Sequence, residues 1–290
     1  MEKTLGWDLH CHTVFSDGTR TPLQLVQEAR ERGLDGVAIT DHDTAAGWTE
    51  AVNAAREVGM PLICGTEMST HWPLSAGKIS VHVLAWLYNP DGRQLVELFA
   101  RTRQRRLERA RTMVANLARD YPISWESVCD QAKEGGATTI GRPHMADALV
   151  AAGVYRTRAD AFAGVLSKRG PSYVSVETPT VTEAIRAIKD AGGVAALAHG
   201  GSFARNRVVL SDDQIRACVD CGLDALEVNH RENSPEQRTR LTKLAQRWGL
   251  LVTGGSDWHG QDGKPNMLGE NSTDVPTVKE IARRGAIPVV

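Results

Sequence analysis

Two histidines one residue apart lie close to the N-terminus, in the stretch WDLHCHTVFSDGT. In an extended strand, side chains two apart share a face, so His10 and His12 can reach one metal ion while Cys11 points to the other side. The Ser-Asp-Gly turn that follows adds the carboxylate of Asp17, although this is also an ordinary turn sequence. Taken alone, the stretch is weak evidence for a metal site.

Other histidines and carboxylates follow apolar segments elsewhere in the chain. Four stretches each read as a helix, a glycine-containing turn, a short apolar segment and then a histidine. They are residues 28–42, 185–200, 215–230 and 244–259. Such helix-to-strand alternation predicts a parallel sheet or barrel, and active sites lie at the carboxyl ends of barrel strands. Two further apolar segments supply Glu67 and His82.

Nine residues are therefore candidate metal ligands, each at or just beyond a predicted strand end. They are His10, His12, Asp17, His42, Glu67, His82, His199, Asp257 and His259. Nine ligands are too many for one tetrahedral ion and enough for two or three. Mixed imidazole and carboxylate ligands suit Zn, Mn or Fe better than Ca or Mg. Such a cluster favours hydrolysis by an activated water.

Six motifs spread over most of the chain carry a family resemblance: DLHCHTVFSDGT, ITDHDT, GTEMS, HVLAW, LAHG and GSDWHG. In this order they resemble the PHP (polymerase and histidinol phosphatase) family of metal-dependent phosphoesterases. The resemblance implies an α/β fold, a distorted (β/α)7 TIM-like barrel, with three divalent metal ions. It assigns one ion to His10, His12, Glu67 and Asp257, a second to Glu67, His82 and His199, and a third to Asp17, His42 and His259.

The middle of the chain interrupts the alternation of helices and strands. Residues 95–118 predict one long amphipathic helix whose apolar stripe includes Val96, Leu107 and Leu117, and shorter helical segments follow. We therefore predict a metal-binding barrel made of residues 1–92 and 181–290. Residues 93–180 are predicted to form an inserted helical subdomain that covers the active site.

The insertion also contains the candidate phosphate-binding residues, which are Arg142 and His144 in GRPH and Lys168 and Arg169 in SKRG. Arginine suits phosphate because its guanidinium is planar and permanently charged, and lysine adds a point charge. His230 also follows a strand but is left over once the ions are assigned. It is a candidate catalytic residue, either a phosphate ligand or a proton donor to the leaving oxygen, and a structural role is the alternative.

A row of arginines and two tryptophans could each bind nucleic acid or have a purely structural role. Arg101, Arg105 and Arg109 form an i, i+4 row that could follow a phosphate backbone, although a solvated helix face is the simpler account. Trp72 and Trp258 lie beside ligand-bearing segments and could stack on bases. Most other tryptophans are expected in the core.

The GRPHMADALV and SKRGPSYV segments resemble the stand-alone branch of the family. That branch includes 3′,5′-nucleoside bisphosphate (pAp) phosphatases and the RNase AM type of 5′-to-3′ exoribonuclease, which trims the 5′ ends of ribosomal RNAs and depends on manganese. The resemblance thus implies manganese and a nucleotide or RNA 5′ end as substrate. The alternative is a small-molecule phosphatase of the histidinol phosphate type. A non-catalytic metal-binding module and an amide hydrolase are less well supported, because every ligand position is filled and the basic segments need a function.

Composition limits the remaining possibilities. The formal net charge of −1 provides no overall attraction for nucleic acid, so such a substrate must be held by a local patch. No apolar segment is long enough to cross a bilayer, so we predict a cytoplasmic protein with no membrane contact and no stable protein partner. The five cysteines do not suggest a disulfide framework, and the Cys218–Cys221 pair reads as helix and core cysteines.

Overall fold

The computed structural model describes residues 5–132, 138–261 and 264–290. Seven strands lie side by side in sequence order. They are β1 (Trp7–Asp8), β2 (Gly36–Ile39), β3 (Leu62–Pro73), β4 (Lys78–Trp86), β5 (Val194–Leu197), β6 (Ala225–Asn229) and β7 (Leu251–Gly254). Past the ends of β1 and β7, the His12 N–H donates to the Trp258 carbonyl at 2.8 Å, and the Trp258 N–H donates to the His10 carbonyl at 3.3 Å. The sheet is thus nearly closed, which confirms the distorted TIM-like barrel.

One strand runs against the predicted parallel direction. β4 is antiparallel to both β3 and β5, whereas the other neighbouring pairs are parallel. The reason is the short turn between β3 and β4, in which the Leu74 N–H donates to the Gly77 carbonyl at 3.1 Å, because so short a connection joins only antiparallel strands. Glu67 and His82 consequently lie within their strands rather than at strand ends, which corrects the prediction for these two ligands.

Ten helices are described. They are α1 (Pro22–Glu31), α2 (Trp48–Val58), α3 (Arg93–Leu117), α4 (Trp125–Cys129), α5 (Arg142–Ala151), α6 (Arg158–Ala163), α7 (Val181–Asp190), α8 (Asp212–Asp220), α9 (Pro235–Trp248) and α10 (Val275–Arg284). Local sequence fixes several of their starts. At α1, Thr21 and Gln24 each accept the other's backbone N–H, and Thr180 and Glu183 do the same at α7. Such capping boxes satisfy N–H groups that a helix start leaves unpaired.

Helices α3 to α6 occupy the predicted insertion and have an apolar core of their own. That core includes Met113, Leu117, Met145 and Leu149. The first turns of α3 pack into the barrel core instead, through Leu95, Leu98 and Phe99. Val96 is 44% exposed and Leu107 is only half-buried, so the predicted apolar stripe was wrong at these two positions. The 93–180 domain boundaries stay a prediction.

The helices and the cysteine pair bear on two sequence predictions. Within the described ranges, no helix is both long and apolar enough to span a bilayer. Cys218 is buried in the barrel core near the end of α8, and Cys221 is half-buried at the C-cap of that helix. Both thiols are free, and neither belongs to a described cluster of metal-ligating side chains.

Candidate metal centre

Glu67 lies at the middle of the candidate site. Its Oε1 atom is 2.7 Å from His82 Nδ1 and 3.0 Å from His199 Nε2. Its Oε2 atom is 3.1 Å from His12 Nε2 and 3.3 Å from His42 Nδ1. His10 Nε2 is also 3.3 Å from Oε2, so one fully buried carboxylate from β3 faces five imidazoles from other parts of the chain.

Asp257 completes a first group of ligand atoms. Its Oδ1 atom is 3.3 Å from His12 Nε2 and 3.6 Å from His10 Nε2. Together with Glu67, these residues offer four atoms that all lie within 4.8 Å of one another. This group has the same members as the set that the family resemblance assigned to the first ion.

A second group forms around Asp17. Asp17 Oδ1 is 3.1 Å from His259 Nε2, and Asp17 Oδ2 is 3.9 Å from His42 Nε2. His12 joins these three residues, since its Nδ1 atom is 3.8 Å from Asp17 Oδ1. The structure thus gathers the set expected for the third ion and adds one imidazole.

The remaining group differs by one residue from the expected second set. His42, Glu67 and His82 are mutually close, whereas the resemblance placed His199 with Glu67 and His82. His199 nevertheless lies against the same Glu67 oxygen as His82. All nine predicted ligands therefore converge, and their division among ions stays a prediction.

Unpartnered polar atoms test whether these residues suit metal ions. Six buried ligand atoms have no hydrogen-bond partner among the described residues: His10 Nε2, His12 Nε2, His42 Nδ1, Glu67 Oε2, Asp257 Oδ1 and His259 Nε2. Buried polar atoms are normally hydrogen-bonded, so six that face one another need a common partner. Imidazole nitrogen and carboxylate oxygen together suit a transition-metal cation. The residues present therefore fit divalent metal ions.

The charges around these ligands shift their proton affinities. Burial alone would raise the pKa of Glu67, but the neighbouring His82 and His10 hold that pKa well below its usual value. Burial alone would lower the pKa of His12, but the adjacent carboxylates of Asp257 and Glu67 raise it to about 9. Without a metal ion, the site therefore favours an ionised Glu67 and raises the proton affinity of His12.

Two of the ligands have an unusual backbone conformation. His199 has a φ of 35° and Asp257 a φ of 54°, in the left-handed region that non-glycine residues seldom adopt. Such conformations cost free energy and cluster at functional sites, where the surrounding structure holds them. Here they follow β5 and β7 and aim both side chains at the same centre.

Sequence reasoning missed Glu227, which supports two ligands from behind. Glu227 Oε1 is 3.0 Å from His10 Nδ1, and Glu227 Oε2 accepts the His199 backbone N–H at 2.6 Å. A carboxylate on the far nitrogen of a metal-binding imidazole fixes its tautomer and orientation. The signal available in the sequence was a glutamate inside the apolar strand ALEVN, which is buried over most of its length.

Two cations that the sequence analysis did not single out hold the outer oxygen of Asp257. Arg205 Nη2 donates to Asp257 Oδ2 at 2.5 Å, and Lys264 Nζ donates to the same atom at 2.8 Å. Arg205 Nε also donates to Glu232 Oε2 at 2.6 Å. Burial would raise the pKa of Asp257, but the charges of Lys264 and Arg205 hold it well below its usual value. The inner oxygen of Asp257 is thus left to face the histidines.

His230 lies beside the ligands with one nitrogen unused. Its Nδ1 accepts the Glu232 backbone N–H at 3.2 Å, so in the neutral ring Nε2 carries the proton. That Nε2 has no partner among the described residues, and the ring centroid is 5.4 Å from that of His199 and 6.4 Å from that of His10. Burial lowers the pKa of His230. A buried donor therefore adjoins the cluster.

Part of the predicted phosphate-binding set forms a cationic cluster in the insertion. Arg142 Nη1 donates to the Leu166 carbonyl at 3.2 Å. The guanidinium carbons of Arg142 and Arg109 lie 5.7 Å and 5.2 Å from the Tyr173 ring centroid. Burial and the charge of Arg142 lower the pKa of Arg109 to about 10. Partial desolvation and the charges of Arg142, Arg205 and Arg109 lower the pKa of Lys168, although its side chain is exposed.

No described carboxylate forms an ion pair with Arg109, Arg142 or Lys168. Lys168 Nζ instead donates to the Arg205 carbonyl at 3.1 Å, which ties the insertion to a loop of the barrel. These three residues and Arg205 are called the cationic cluster below. Its charges repel one another, so an anion would stabilise it.

The other predicted phosphate-binding residues lie outside the cationic cluster. His144 is buried, its Nδ1 accepts the Gly141 N–H at 3.1 Å, and it lines a separate pocket of about 340 Å³ with Asp147 and Arg158. Arg169 is exposed, and its backbone N–H donates to Ser167 Oγ at 3.1 Å. The structure therefore does not bring all four predicted residues together.

The arginine row of α3 and Trp258 do not form an open surface for a phosphate backbone and bases. Arg105 pairs with Glu177 at 3.2 Å, and Arg109 Nε donates to the Val174 carbonyl at 2.6 Å, so two members of the row are engaged within the insertion. Arg106, which was not singled out, donates to Asp43 Oδ2 at 2.9 Å. Trp258 is only 1% exposed and has no face free for stacking.

The chain is similar to several known proteins. The PHP domain family matches residues 8–141. The chain is 36% identical over 264 residues to the 5′-3′ exoribonuclease Rnm of Salmonella typhimurium, covering 87% of this chain and 85% of that protein. It is 32% identical to a 3′,5′-nucleoside bisphosphate phosphatase of Chromobacterium violaceum, covering 87% and 86%. A crystal structure of an inferred metal-dependent phosphoesterase from Bifidobacterium adolescentis superposes with a TM-score of 0.94 at 56% identity, covering 97% and 96%.

Proposed function

Because this chain belongs to the PHP domain family and is a metal-dependent hydrolase, we propose that it cleaves the phosphoester bond next to a 5′-phosphorylated nucleotide. Its substrates would be 5′-phosphorylated RNA, degraded from the 5′ end in the manner of the RNase AM type, and 3′,5′-nucleoside bisphosphates. Ribosomal RNA 5′ ends are the proposed cellular target. One observation carries the proposal: Arg205 joins six unpartnered buried ligand atoms to the cationic cluster, because its side chain donates to the ligand Asp257 and its carbonyl accepts from Lys168.

The two substrates share one chemistry. Each has a ribose flanked by a 5′-phosphate and a 3′-phosphoryl group. A water oxygen adds to the 3′-phosphorus, the P–O3′ bond breaks, and the 3′-oxygen takes up a proton. The products are a nucleoside 5′-phosphate and either inorganic phosphate or an RNA shortened by one nucleotide. That RNA again begins with a 5′-phosphate, so the same site can act repeatedly.

We propose three divalent ions, with manganese expected and zinc or iron as alternatives. His10, His12, Glu67 and Asp257 would hold the first, Glu67, His82 and His199 the second, and Asp17, His42 and His259 the third. His42 and His12 are close enough to contribute to neighbouring sets. Bound ions of this kind lower the pKa of a coordinated water and stabilise charge that develops on phosphoryl oxygens.

The chain's own residues would anchor and protonate the substrate. Arg142 and Lys168, joined by Arg109, would bind the 5′-phosphate, because that anion would relieve the repulsion among these cations. His230 would donate its Nε2–H to an oxygen of the reacting phosphoryl group. His144 and Arg169 stay proposed phosphate contacts, although neither contacts the cationic cluster in this structure.

A substrate panel tests the proposal. Manganese-supplemented enzyme is compared on pAp, 5′-phosphorylated RNA, 5′-hydroxyl RNA and histidinol phosphate. We expect turnover of the first two and poor cleavage of 5′-hydroxyl RNA. Arg142→Ala should remove the preference for a 5′-phosphate, whereas Arg93→Ala, an exposed arginine at the start of α3, should keep it. Turnover of histidinol phosphate alone would refute the nucleotide substrate and favour the small-molecule alternative.

A further inference from the structure

Phe203 stands out among the aromatic residues of this protein. It is 55% exposed, and no other aromatic side chain in the described ranges falls in the exposed class. Covering so large an apolar group with a bound partner would gain free energy. Phe203 follows the candidate ligand His199 by four residues and precedes Arg205 by two. The exposed ring is therefore carried by the same loop that reaches the metal centre.

Hydrogen bonds on both sides of Phe203 hold this loop in place. Before it, the Gly201 N–H donates to Asn233 Oδ1 at 2.9 Å, and Ser202 Oγ donates to Glu232 Oε2 at 2.7 Å. After it, Arg205 binds Glu232, and Asn206 Nδ2 donates to the Ser80 carbonyl at 2.8 Å. The ring is thus presented by an anchored loop rather than by a free tip, which is the preorganisation that a binding surface needs.

A second exposed apolar side chain, Met267, belongs to the segment that follows Asp257 in the chain. Met267 is 58% exposed, and it lies three residues after Lys264 and next to Asn266, whose side-chain amide donates to the Ser256 carbonyl at 2.6 Å. Arg205 and Lys264 donate to one and the same Asp257 oxygen. The loops that carry Phe203 and Met267 therefore meet at a candidate metal ligand.

We propose that Phe203 forms a nucleobase-binding subsite at the rim of the metal centre, with Met267 contributing from the facing loop. The inference rests on the proposed nucleotide substrate. It adds recognition of the base to recognition of the 5′-phosphate and the 3′-phosphoryl group. Stacking on an aromatic ring accepts every base, as an enzyme that removes successive nucleotides requires. The cationic cluster also includes Arg205, so one loop would contact both the phosphate and the base of the same nucleotide.

Two measurements test the subsite. The first is kcat/KM for pAp and for its base-free analogue, the 3,5-bisphosphate of an abasic tetrahydrofuran sugar. Phe203→Ala should lower kcat/KM for pAp by roughly 5- to 150-fold and leave the abasic substrate unchanged, and Phe203→Trp should keep the wild-type preference. The second is calorimetric binding of adenosine 5′-phosphate against ribose 5-phosphate, which does not depend on turnover.

Val96→Ala is the matched control. Val96 is 44% exposed but lies near the start of α3, which follows β4. The last residue of β4, Trp86, pairs with the first residue of β5, so this region is at the opposite end of the barrel from His199. This variant should behave like the wild type with both substrates.

The outcomes separate this inference from the proposed function. Equal binding of adenosine 5′-phosphate and ribose 5-phosphate by the wild-type enzyme, or an equal loss of both in Phe203→Ala, would overturn the subsite. Selective loss of the adenosine ligand supports it. Failure of the proposed function would show instead as absence of pAp and RNA hydrolysis by the wild-type enzyme, while the binding comparison still decides whether Phe203 recognises a base.

Discussion

Replacing Glu227 with glutamine tests how the metal centre is held from behind. The native carboxylate accepts from two groups, His10 Nδ1 at 3.0 Å and the His199 backbone N–H at 2.6 Å. A glutamine of the same shape has one acceptor oxygen, so its amide N–H₂ must face one of these donors. The variant therefore loses a hydrogen bond and leaves a buried donor unsatisfied, which costs about 1–3 kcal/mol of the free energy of unfolding.

The same substitution should weaken metal binding. Without the carboxylate, His10 loses the charge that fixes its ring with Nε2 toward Glu67 and Asp257. Removal of such a supporting carboxylate typically weakens metal affinity by about 10- to 100-fold. We expect Glu227→Gln to raise the Kd for Mn²⁺ by that factor in chelator-competition titrations, with a lower thermal midpoint. At saturating Mn²⁺, the Glu227→Gln variant should recover a large part of the wild-type hydrolytic activity.

Asp224→Asn provides a matched control just before β6, the strand that contains Glu227. Asp224 directly precedes β6, is 8% exposed, and pairs with Lys189 at 2.7 Å rather than with a ligand. Its replacement should lower thermal stability and leave the Mn²⁺ affinity unchanged. If Glu227→Gln and Asp224→Asn bound Mn²⁺ equally well, the supporting role of Glu227 would be refuted.

Three further outcomes follow from the same geometry. Asp17→Asn should reduce the metal content by about one ion per chain in elemental analysis, because Asp17 is the carboxylate of one ligand group; unchanged stoichiometry would contradict that assignment. Because the pKa of His12 is raised to about 9, its ring is protonated at pH 7 without metal, so metal binding should release a proton and strengthen as the pH rises towards 9. Calorimetry in buffers of different ionisation enthalpy measures this release, and no buffer dependence would argue against it. His230→Ala should lower kcat by about 10²- to 10⁴-fold, and His230→Gln, which keeps an N–H donor, should recover part of the loss if donation rather than packing matters.

The sequence predicted that the candidate ligands converge because a barrel brings the ends of its strands together. Once four helix–strand units each delivered a histidine after an apolar segment, the barrel alone implied that those histidines meet at one face. His42, His199 and His259 lie together for that reason. Glu67 and His82 lie at the same centre for a different reason, because the antiparallel pair β3 and β4 contains them. Hydrophobic patterning does not indicate strand direction, so the sequence did not predict this arrangement.

The supporting residues were beyond the reach of sequence patterns. Glu227, Arg205 and Lys264 act through single contacts between segments far apart in the chain, and such contacts leave no local periodicity. The i, i+4 row of α3 was a local pattern, yet Arg106, one residue outside it, makes the contact with Asp43. The predicted apolar stripe of α3 was wrong at Val96 because the helix packs against two different cores. No single helical periodicity describes both buried faces.

One measurement tests the central claim most directly: hydrolysis of pAp in ¹⁸O-labelled water by metal-free and manganese-loaded enzyme. We predict that only the loaded enzyme reacts, that the products are adenosine 5′-phosphate and inorganic phosphate, and that the label enters the inorganic phosphate alone. Release of adenosine 3′-phosphate, label in the nucleoside product, or equal activity of the metal-free enzyme would contradict a metal-dependent attack on the 3′-phosphorus.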